Sequence, residues 1–468
     1  MNIESLYATY LQSRHVTTDS RQVREGSFFF ALKGEHVDGN AYAAAALEKG
    51  AACCVVDNPE AVVDNRCLLV DDSLKTLQEL ARYHRSQLEI PVVGITGTNG
   101  KTTTKELVHA VLSKRYRTWA TQGNFNNHLG VPLTLLAMPE DTEIAVVEMG
   151  ANHPGEIDFL CGIANPGFGL ITNVGRAHLE GFGSFKGVVR TKTELYKHLA
   201  AMCGVIFVNA DNDILMERAE KASVLPSSPS VLPGIVPAFP GVTPSDYGTA
   251  FKPRGVNLPN ASVVTYGSSM AAEYKGAFVS SDPYLKFYFE DGDNVYTVQS
   301  QLIGAYNFDN AMAAVCVGRY FDVPLFDIKS AIEEYMPSNN RSQYKRTAHN
   351  ELILDCYNAN PSSMQVAVDN FIGMHRDHKV AILGSMKELG NDSKREHELL
   401  VAKLRDAGLQ QALLVGEEFR FASKEPFVQW FSTSADALDY LADHPISDAL
   451  VLLKGSNSNK MWLLEEKL

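Results

Sequence analysis

Residues 92–105 read Val-Val-Gly-Ile-Thr-Gly-Thr-Asn-Gly-Lys-Thr-Thr-Thr-Lys, and this stretch decides the expected fold. An apolar run leads into a turn that contains two glycines, and a helical pattern of apolar residues follows the turn. Such an order is typical of a phosphate-binding loop, in which backbone N–H groups and a helix N-terminus attract phosphate. The strict pattern requires glycine where the chain has Ile95, so an ordinary glycine-rich turn is the alternative.

The loop supplies the first candidate site residues. We expect Lys101 to reach the β- and γ-phosphates of a nucleoside triphosphate and the hydroxyl of Thr102 to bind Mg²⁺. The other residues expected to surround the phosphates are Gly97, Thr98, Asn99, Gly100 and Thr103.

Composition indicates an ordinary globular protein. The chain has 468 residues, of which 45% are hydrophobic and 21% charged. Its net charge of −13 argues against non-specific binding to nucleic acid or membrane. Its seven cysteines form no C-x-x-C pair, so we expect a reducing compartment without a disulfide framework. The first residues do not resemble a signal peptide, and no apolar run could span a bilayer, so we expect a cytoplasmic protein.

Alternating apolar and helical patterns predict three α/β modules, at residues 1–88, 89–336 and 337–468. Candidate strands of the first module are 27–32, 52–57 and 67–70, with helices at 41–49 and 73–88. Those of the second are 92–95, 144–148, 169–173 and 205–209, and those of the third are 352–355, 379–383, 412–415 and 449–453. Helical segments separate the strands, so parallel, helix-covered sheets are predicted.

Two segments interrupt these patterns. Residues 224–260 carry eight prolines, which exclude a central strand or a helix interior. We interpret the segment as a surface loop or a tolerated insertion, with a functional role as the alternative. Residues 339–341, Asn-Asn-Arg, suit a linker.

Polar residues stand at the ends of two of the predicted central strands. Glu148 and Asn173 end their strands, and His178 comes five residues after Asn173. Because the carboxyl ends of parallel strands meet at one edge of a sheet, these residues are expected to lie near the phosphate loop. His178 alone is typical of a surface loop, but a carboxylate and an imidazole beside a triphosphate together indicate a metal site.

Several motifs resemble the Mur ligases, ATP-dependent amide-forming enzymes that build the peptidoglycan stem peptide. They are Thr-Gly-Thr-Asn-Gly-Lys-Thr-Thr at 96–103, Val-Glu-Met-Gly-Ala at 147–151, Thr-Asn-Val-Gly-Arg-Ala-His at 172–178, Gly-Ala-Tyr-Asn-Phe-Asp-Asn at 304–310 and Asp-Cys-Tyr-Asn-Ala-Asn-Pro at 355–361. The resemblance implies the three-domain α/β architecture of that family. A small N-terminal α/β UDP-binding domain precedes a central ATPase domain with a P-loop and a parallel sheet, and a C-terminal Rossmann-like domain follows.

Three further segments resemble the family members that add D-alanyl-D-alanine. They are Thr-Asp-Ser-Arg at 18–21 with the motifs at 29–35 and 38–40, the segment 123–134, and Leu-Gly-Ser-Met-Lys-Glu-Leu-Gly at 383–390. This implies an enzyme that joins D-alanyl-D-alanine to UDP-N-acetylmuramoyl-tripeptide through an acyl phosphate, acting as a monomer. The alternatives are another ligase of the family, a ligase similar to folylpolyglutamate synthase, and a P-loop ATPase without ligase activity.

The resemblance also implies roles for individual residues. Lys101, Glu148, His178 and Lys192 would be catalytic. Two Mg²⁺ ions would be held by Thr102, Glu148, His178 and Lys192, the last as a carbamate. The nucleotide would be contacted by Asn173, Asn310, Arg341, Asp355 and Tyr357. Ser20 and Arg21 would bind the uridine diphosphate, and Asn126 and Asn127 would face the substrate. The chain departs from the family at Asn457, where an arginine is usual.

Overall fold

The N-terminal sheet is parallel, and its strands are neighbours in chain order in the computed structural model, which describes residues 2–224, 261–337 and 341–468. Its elements are α1 (Ile3–Ser13), β1 (Val16–Thr17), β2 (Phe28–Phe30), α2 (Ala43–Glu48), β3 (Cys53–Val56), β4 (Cys67–Leu69) and α3 (Ser73–Ser86). The predicted strands 27–32, 52–57 and 67–70 are confirmed as β2, β3 and β4, and both predicted helices are present. Every residue of β2 and β3 is buried, as their continuous apolar sequences require.

The central sheet contains the phosphate-loop strand. Its first elements are β5 (Val92–Thr96), α4 (Lys101–Leu112), β6 (Thr118–Ala120), α5 (Gly130–Leu136), β7 (Ile144–Glu148), α6 (Glu156–Ala164), β8 (Phe168–Ile171), α7 (Leu179–Phe182), α8 (Phe185–Lys192), α9 (Glu194–Ala201), β9 (Val205–Asn209) and α10 (Asp213–Ser223). Its later elements are β10 (Ser262–Gly267), β11 (Tyr274–Ser281), β12 (Tyr284–Asp291), β13 (Asn294–Ile303), α11 (Asn307–Tyr320) and α12 (Leu325–Glu334).

The described strands of this sheet lie in the order β13-β12-β11-β10-β9-β8-β5-β7-β6. The predicted parallel pairing is confirmed for every pair across the sheet from β6 at one edge as far as β11. The pairs β11–β12 and β12–β13 are antiparallel, which was not predicted. The prediction of a strand at 169–173 needs correction, because β8 ends at Ile171. The proline-rich stretch 224–260 lies, apart from Val224, outside the described residues.

The C-terminal sheet belongs to what we call the C-terminal module, the described residues 341–468. Its elements are β14 (Gln343–Arg346), β15 (Asn350–Asp355), α13 (Pro361–Gly373), β16 (Lys379–Gly384), α14 (Ser393–Asp406), β17 (Gln411–Val415), β18 (Val428–Phe431), α15 (Ser434–Asp443) and β19 (Ala449–Lys454). The strand order is β14-β15-β19-β16-β17-β18, and among the described strands of this sheet only β14 and β15 pair antiparallel. All four predicted strands are confirmed, each with small differences at its ends. Apolar clusters cover both faces of the sheet.

No helix in the described parts of the chain is long and apolar enough to cross a membrane.

A single apolar cluster joins the N-terminal sheet to the central sheet. It runs from Tyr10 and Phe30 to Val147 and Leu160 without a break between the two parts of the chain. The hydroxyl of Tyr10 donates across this boundary to the carbonyl of Leu136 at 2.8 Å. The N-terminal part is therefore packed on the central sheet as a continuous core.

The buried guanidinium of Arg85, on α3, reinforces this junction. It is 2% exposed and donates to four backbone carbonyls, those of Ala164 (2.9 Å), Leu88 (2.8 Å), Ile90 (3.2 Å) and Asn165 (3.2 Å). Two of these carbonyls lie at the C-terminal end of α6, where the helix dipole favours a cation. Burial lowers the pKa of Arg85 to about 10, still far above neutral pH, so the group stays charged.

We expect the substitution Arg85→Ala to lower the free energy of unfolding by about 3–5 kcal/mol, because it leaves buried carbonyls without donors. Denaturant titration followed by circular dichroism measures the change. The matched control is Arg82→Ala on the same helix, since Arg82 is exposed and donates to one carbonyl, that of Gly162. Equal losses for the two variants would contradict the role given to Arg85.

Candidate active site

The phosphate-loop sequence forms the predicted strand, loop and helix, with α4 beginning at Lys101. Gly97 has a φ of 144° and Gly100 a φ of 77°, conformations that favour glycine. A Cβ on Gly97 would lie 2.0 Å from the hydroxyl of Thr172. A Cβ on Gly100 would lie 2.6 Å from Oδ1 of Asn310. Backbone conformation and close neighbours therefore both require glycine at these two positions.

Asn173, just beyond the neighbouring strand β8, holds the phosphate loop in place. Its Oδ1 accepts the backbone N–H of Asn99 at 3.0 Å, and its Nδ2 donates to the carbonyl of Asn99 at 3.0 Å. The hydroxyl of Thr172 donates to the same carbonyl at 2.6 Å. Asn173 lies two residues beyond β8 rather than within it, but its predicted position beside the phosphate loop is confirmed.

The ammonium of Lys101 lies within the loop itself. Its Nζ donates to the carbonyls of Gly97 at 2.8 Å and Thr98 at 3.0 Å. Burial lowers the pKa of Lys101, and the negative charge of Glu148 opposes that shift. A cation is thus positioned where backbone N–H groups would receive a phosphate.

Glu148 ends β7 as predicted and is 1% exposed. Its Oε1 accepts Nδ2 of Asn126 at 2.7 Å, and its backbone N–H donates to the hydroxyl of Thr121 at 3.0 Å. Its Oε2 is buried and has no hydrogen-bond partner among the described residues. A buried carboxylate oxygen without a partner is costly, and a cation would satisfy it.

Lys192, at the end of α8, is 2% exposed. Its Nζ donates to the carbonyl of Ala151 at 3.2 Å and lies 5.5 Å from the ring centre of Phe182. Burial and then the charge of Lys101 lower its pKa well below the ordinary value. Both effects favour the neutral amine, the form in which a lysine is nucleophilic.

His178 lies at the mouth of the site, at the start of α7, with a φ of 49°. Its Nδ1 forms a hydrogen bond with the carboxylate of Glu388, in the C-terminal module. Burial lowers the pKa of His178, and Glu388 opposes that shift. The histidine is thus shared between the central sheet and the C-terminal module.

These residues fit a divalent cation only as a mixed set of ligands. No group of three or more His, Cys, Asp and Glu side chains suited to a metal occurs within residues 2–224, 261–337 and 341–468. The available donors are the free Oε2 of Glu148, the hydroxyl of Thr102 and the imidazole of His178, with Lys192 buried nearby. A second anion is missing from this set unless Lys192 supplies one.

The C-terminal module contributes a second wall. The guanidinium of Arg341 lies over the ring of Tyr357, 3.4 Å from its centre. Asp355 accepts Nζ of Lys454 at 2.6 Å, and the same ammonium donates to the carbonyl of Asn358 at 3.0 Å. Lys454 is 1% exposed, so Asp355 and Lys454 form a largely buried ion pair at the edge of the cavity.

Central and C-terminal residues enclose one cavity of about 670 Å³. The predicted residues that line it are Thr98, Asn99, Gly100, Lys101, Thr102, Thr103, Asn126, Asn127, Glu148, Asn173, His178, Asn310, Arg341, Asp355 and Tyr357. The structure therefore brings together predicted residues that are up to 259 positions apart in the chain, from Thr98 to Tyr357.

Four predicted residues lie outside the cavity lining. Gly97 shapes the loop from behind, and Lys192 is buried behind Ala151. Arg21 is exposed and paired with Asp19, and the carbonyl of Ser20 accepts Nζ of Lys49. Ser20 and Arg21 thus belong to the N-terminal surface rather than to this cavity.

Three predicted asparagines already have hydrogen-bond partners within the protein. Asn126 holds Glu148, as described above, and Oδ1 of Asn127 accepts the backbone N–H groups of Leu129 and Gly130. Asn310 accepts the hydroxyl of Thr104 at 3.0 Å and donates to Asn307 at 2.8 Å. These contacts fix the side chains of the cavity wall.

Sequence reasoning missed several cavity residues, which are Asn152, His153, Glu156, Tyr306, Asp309, Ser362 and Lys454 among others. The segment 150–156, Gly-Ala-Asn-His-Pro-Gly-Glu, begins two residues after the end of β7 and so lies at the same strand end as Glu148. Glu156 accepts the backbone N–H groups of Asn152 and His153, so its carboxylate shapes this turn.

Asp309, on α11, is the most perturbed carboxyl of the cavity. Its pKa is raised from the ordinary value of 3.8 to about 6, first by burial and then by the charge of Asp211, with a hydrogen bond to Asn209 opposing both. Perturbed carboxyl groups in clefts are common at functional sites.

Three family models match the chain: the Mur ligase family, catalytic domain, at residues 12–85, the Mur ligase middle domain at 95–228, and the Mur ligase, glutamate ligase domain at 340–457. The chain is similar to the UDP-N-acetylmuramoyl-tripeptide--D-alanyl-D-alanine ligase of Bacillus subtilis, with 31% identity across 95% of this chain and 91% of that protein.

Solved structures give the same result. MurF from Acinetobacter baumannii superposes with a TM-score of 0.82 and 29% identity, covering 100% of this chain and 98% of the other. MurF ligase from Thermotoga maritima in complex with ADP has a TM-score of 0.79 and 26% identity, covering 98% and 97% of the two chains.

The raised pKa of Asp309 predicts a pH-dependent cost. The carboxyl of Asp309 binds its proton more tightly in the folded state than in the unfolded state. The free energy of unfolding therefore falls as the pH rises from about 4 to about 6, and it stays at the lower value above pH 6. Asp309→Asn should therefore raise the free energy of unfolding by about 2–3 kcal/mol near pH 8 and leave it unchanged below about pH 4. Denaturant titrations at the two pH values measure this. The control Asp213→Asn, at an exposed position, should leave the free energy of unfolding unchanged at both pH values. If Asp309→Asn raised the free energy of unfolding equally at both pH values, the raised pKa of Asp309 would not be the cause.

Proposed function

We infer that the chain, which belongs to the Mur ligase family, joins D-alanyl-D-alanine to the carboxylate of UDP-N-acetylmuramoyl-tripeptide at the expense of ATP. The observation that carries this proposal is a shared cavity in which the phosphate loop faces Glu148, His178 and the C-terminal module. We also propose domain boundaries at residues 88/89 and 336/337.

The chemistry explains why a triphosphate is needed. A carboxylate is a poor acyl donor, because its leaving group would be oxide. Transfer of the γ-phosphoryl group to the carboxylate oxygen yields an acyl phosphate and ADP. The amine of D-alanyl-D-alanine then attacks the carbonyl carbon, the C–O bond to phosphate breaks, and the ammonium proton is lost as the amide forms.

The first step brings two anions together. Unit charges 4 Å apart repel by about 4 kcal/mol at an effective dielectric constant near 20. Lys101, already held in the loop by two carbonyls, offsets part of this repulsion once its ammonium turns to the phosphates. Glycine at 97 and 100 lets the backbone N–H groups approach the same anion.

Thr102, Glu148, His178 and Lys192 would hold Mg²⁺ at two sites. Magnesium bound there neutralises negative charge on the phosphates. The free Oε2 of Glu148 supports this assignment. Asn126 orients Glu148 by its hydrogen bond to Oε1, which leaves Oε2 available.

The C-terminal wall would bind the nucleoside. Tyr357 offers an aromatic face, and Arg341, stacked on it, places a cation toward the phosphates. Asp355, held by Lys454, offers a carboxylate oxygen to ribose hydroxyls, and Asn310 would contact the nucleotide from the cavity wall beside Gly100. We assign the uridine diphosphate to Ser20 and Arg21 and the peptide to Asn126 and Asn127. We also propose that the protein acts as a monomer.

The decisive experiment measures phosphate release from ATP with UDP-N-acetylmuramoyl-tripeptide, with and without D-alanyl-D-alanine, and the mass of the product. We expect release to require both substrates and the product mass to equal their sum less one water. Lys101→Ala should lower the rate by about 10²–10³-fold, whereas Lys114→Ala, just beyond the same helix, should not. ATP hydrolysis without a ligated product would refute the proposed function.

We also propose that Lys192 acts as a carbamate. Burial lowers the pKa of its amine and so favours the neutral form, which can add carbon dioxide; loss of one proton then leaves a carbamate anion at this position. Lys192→Ala should be inactive and partly rescued by short-chain carboxylic acids, while Lys186→Ala, exposed on the same helix, stays active. Isotopically labelled bicarbonate should give a protein-bound carbamate signal that Lys192→Ala lacks. The carbamate proposal would be refuted if the wild-type protein took up no label, or if the Lys192→Ala variant were active without rescue.

A further inference from the structure

One short loop contacts both the phosphate loop and the C-terminal module. We call residues 173–178, between β8 and α7, the coupling loop. On one side, Asn173 binds Asn99 twice, and the backbone N–H of Gly175 donates to the hydroxyl of Thr98 at 2.9 Å. The phosphate loop is thus attached to the coupling loop at two consecutive residues.

On its other side the coupling loop meets the C-terminal module. The backbone N–H of Arg176 donates to the hydroxyl of Ser362, in the first turn of α13, at 2.7 Å. Nη1 of Arg176 donates to Oε1 of Glu396, on α14, at 2.8 Å. A Cβ on Gly175 would lie 2.6 Å from the hydroxyl of Ser362, so the two surfaces touch without intervening space.

The ion pair between Arg176 and Glu396 is unequal in burial. The side chain of Glu396 is 9% exposed, whereas that of Arg176 is 46% exposed. A buried carboxylate without its partner is strongly unfavourable, so Glu396 favours the docked arrangement in which Arg176 reaches it. Since Arg176 lies three residues from Asn173, its position constrains the residue that holds Asn99.

We propose that Arg176 is a positioning residue, and that its ion pair with Glu396 couples docking of the C-terminal module to the geometry of the phosphate loop. The proposal rests on the ligase function, in which the acyl phosphate forms only when the nucleotide and the C-terminal wall are assembled. Docking through Arg176 then sets Asn99 and Lys101 for phosphoryl transfer and leaves the uridine diphosphate site unaffected.

The chain offers a matched control. Asp282, between β11 and β12, also accepts hydrogen bonds from the C-terminal module, from Arg376 at 3.4 Å and from the backbone N–H of His375 at 3.2 Å. Three strands, β10, β9 and β8, separate β11 from the phosphate-loop strand. Glu396→Gln and Asp282→Asn therefore make the same chemical change in two contacts between the same parts of the molecule.

The test is a double-mutant cycle on the full chain, read as kcat and as KM for each substrate. Arg176→Ala and Glu396→Gln should each lower kcat by about tenfold, which is about 1.4 kcal/mol of activation free energy. The double variant should be no slower than either single variant, because both remove one interaction. KM for the UDP-sugar peptide should not change, Arg176→Lys should recover part of kcat, and Asp282→Asn should behave as the wild type.

Thermal midpoints show whether each variant folds, and small-angle scattering with a non-hydrolysable ATP analogue and the UDP-sugar peptide reports docking without turnover. We expect compaction of the wild type and Asp282→Asn, and less compaction of Arg176→Ala. The coupling would be overturned if Arg176→Ala kept the kcat and the compaction of the wild type. It would also be overturned if the double variant lost kcat by the product of the two single-variant factors. Nucleotide-dependent compaction without any ligated product from the wild type would instead refute the ligase function and leave the coupling standing.

Discussion

Pairing of three adjacent buried strands, β7, β5 and β8, is the constraint on which the site depends. Their parallel register brings the carboxyl ends of all three strands to one edge of the sheet. Strand pairing alone therefore brings the phosphate loop, Glu148 and Asn173 together. The side chains of β5 and β7 are wholly buried, and apolar clusters cover both faces, so a slip in register would place side chains that fit one cluster into the other. Burial of the sheet therefore also fixes the geometry of the site.

The parts of the fold that follow from local pattern were predictable. Continuous apolar runs between helical segments predicted β5, β7 and β9 to within one residue. The antiparallel strands β11–β13 were missed, although Tyr284–Asp291 alternates between buried and partly exposed residues as a half-covered strand does. Their order in the sheet depends on pairing with β10, which follows the proline-rich segment, and no local pattern specifies such a partner.

The residues of the site also fall into a group that local sequence pattern predicts and a group that depends on long-range packing. Lys101, Thr102 and Glu148 could be placed from their positions at strand ends, and the C-terminal residues came from motif resemblance. The hydrogen bonds of His178 with Glu388 and of Arg176 with Glu396 join residues 210 and 220 positions apart. They depend on how the C-terminal module lies against the central sheet. Side chains such as Asp309 became notable only through burial, which a sequence does not display.

The junction at Arg85 has a consequence for how such a protein can change over generations. Its four acceptors are backbone carbonyls, which every amino acid carries, so substitutions at those four positions do not remove the acceptors. The contact between Arg176 and Glu396, in contrast, requires two particular side chains. The N-terminal junction therefore tolerates sequence drift on one side, whereas the C-terminal contact can be lost or retuned by a single substitution on either side.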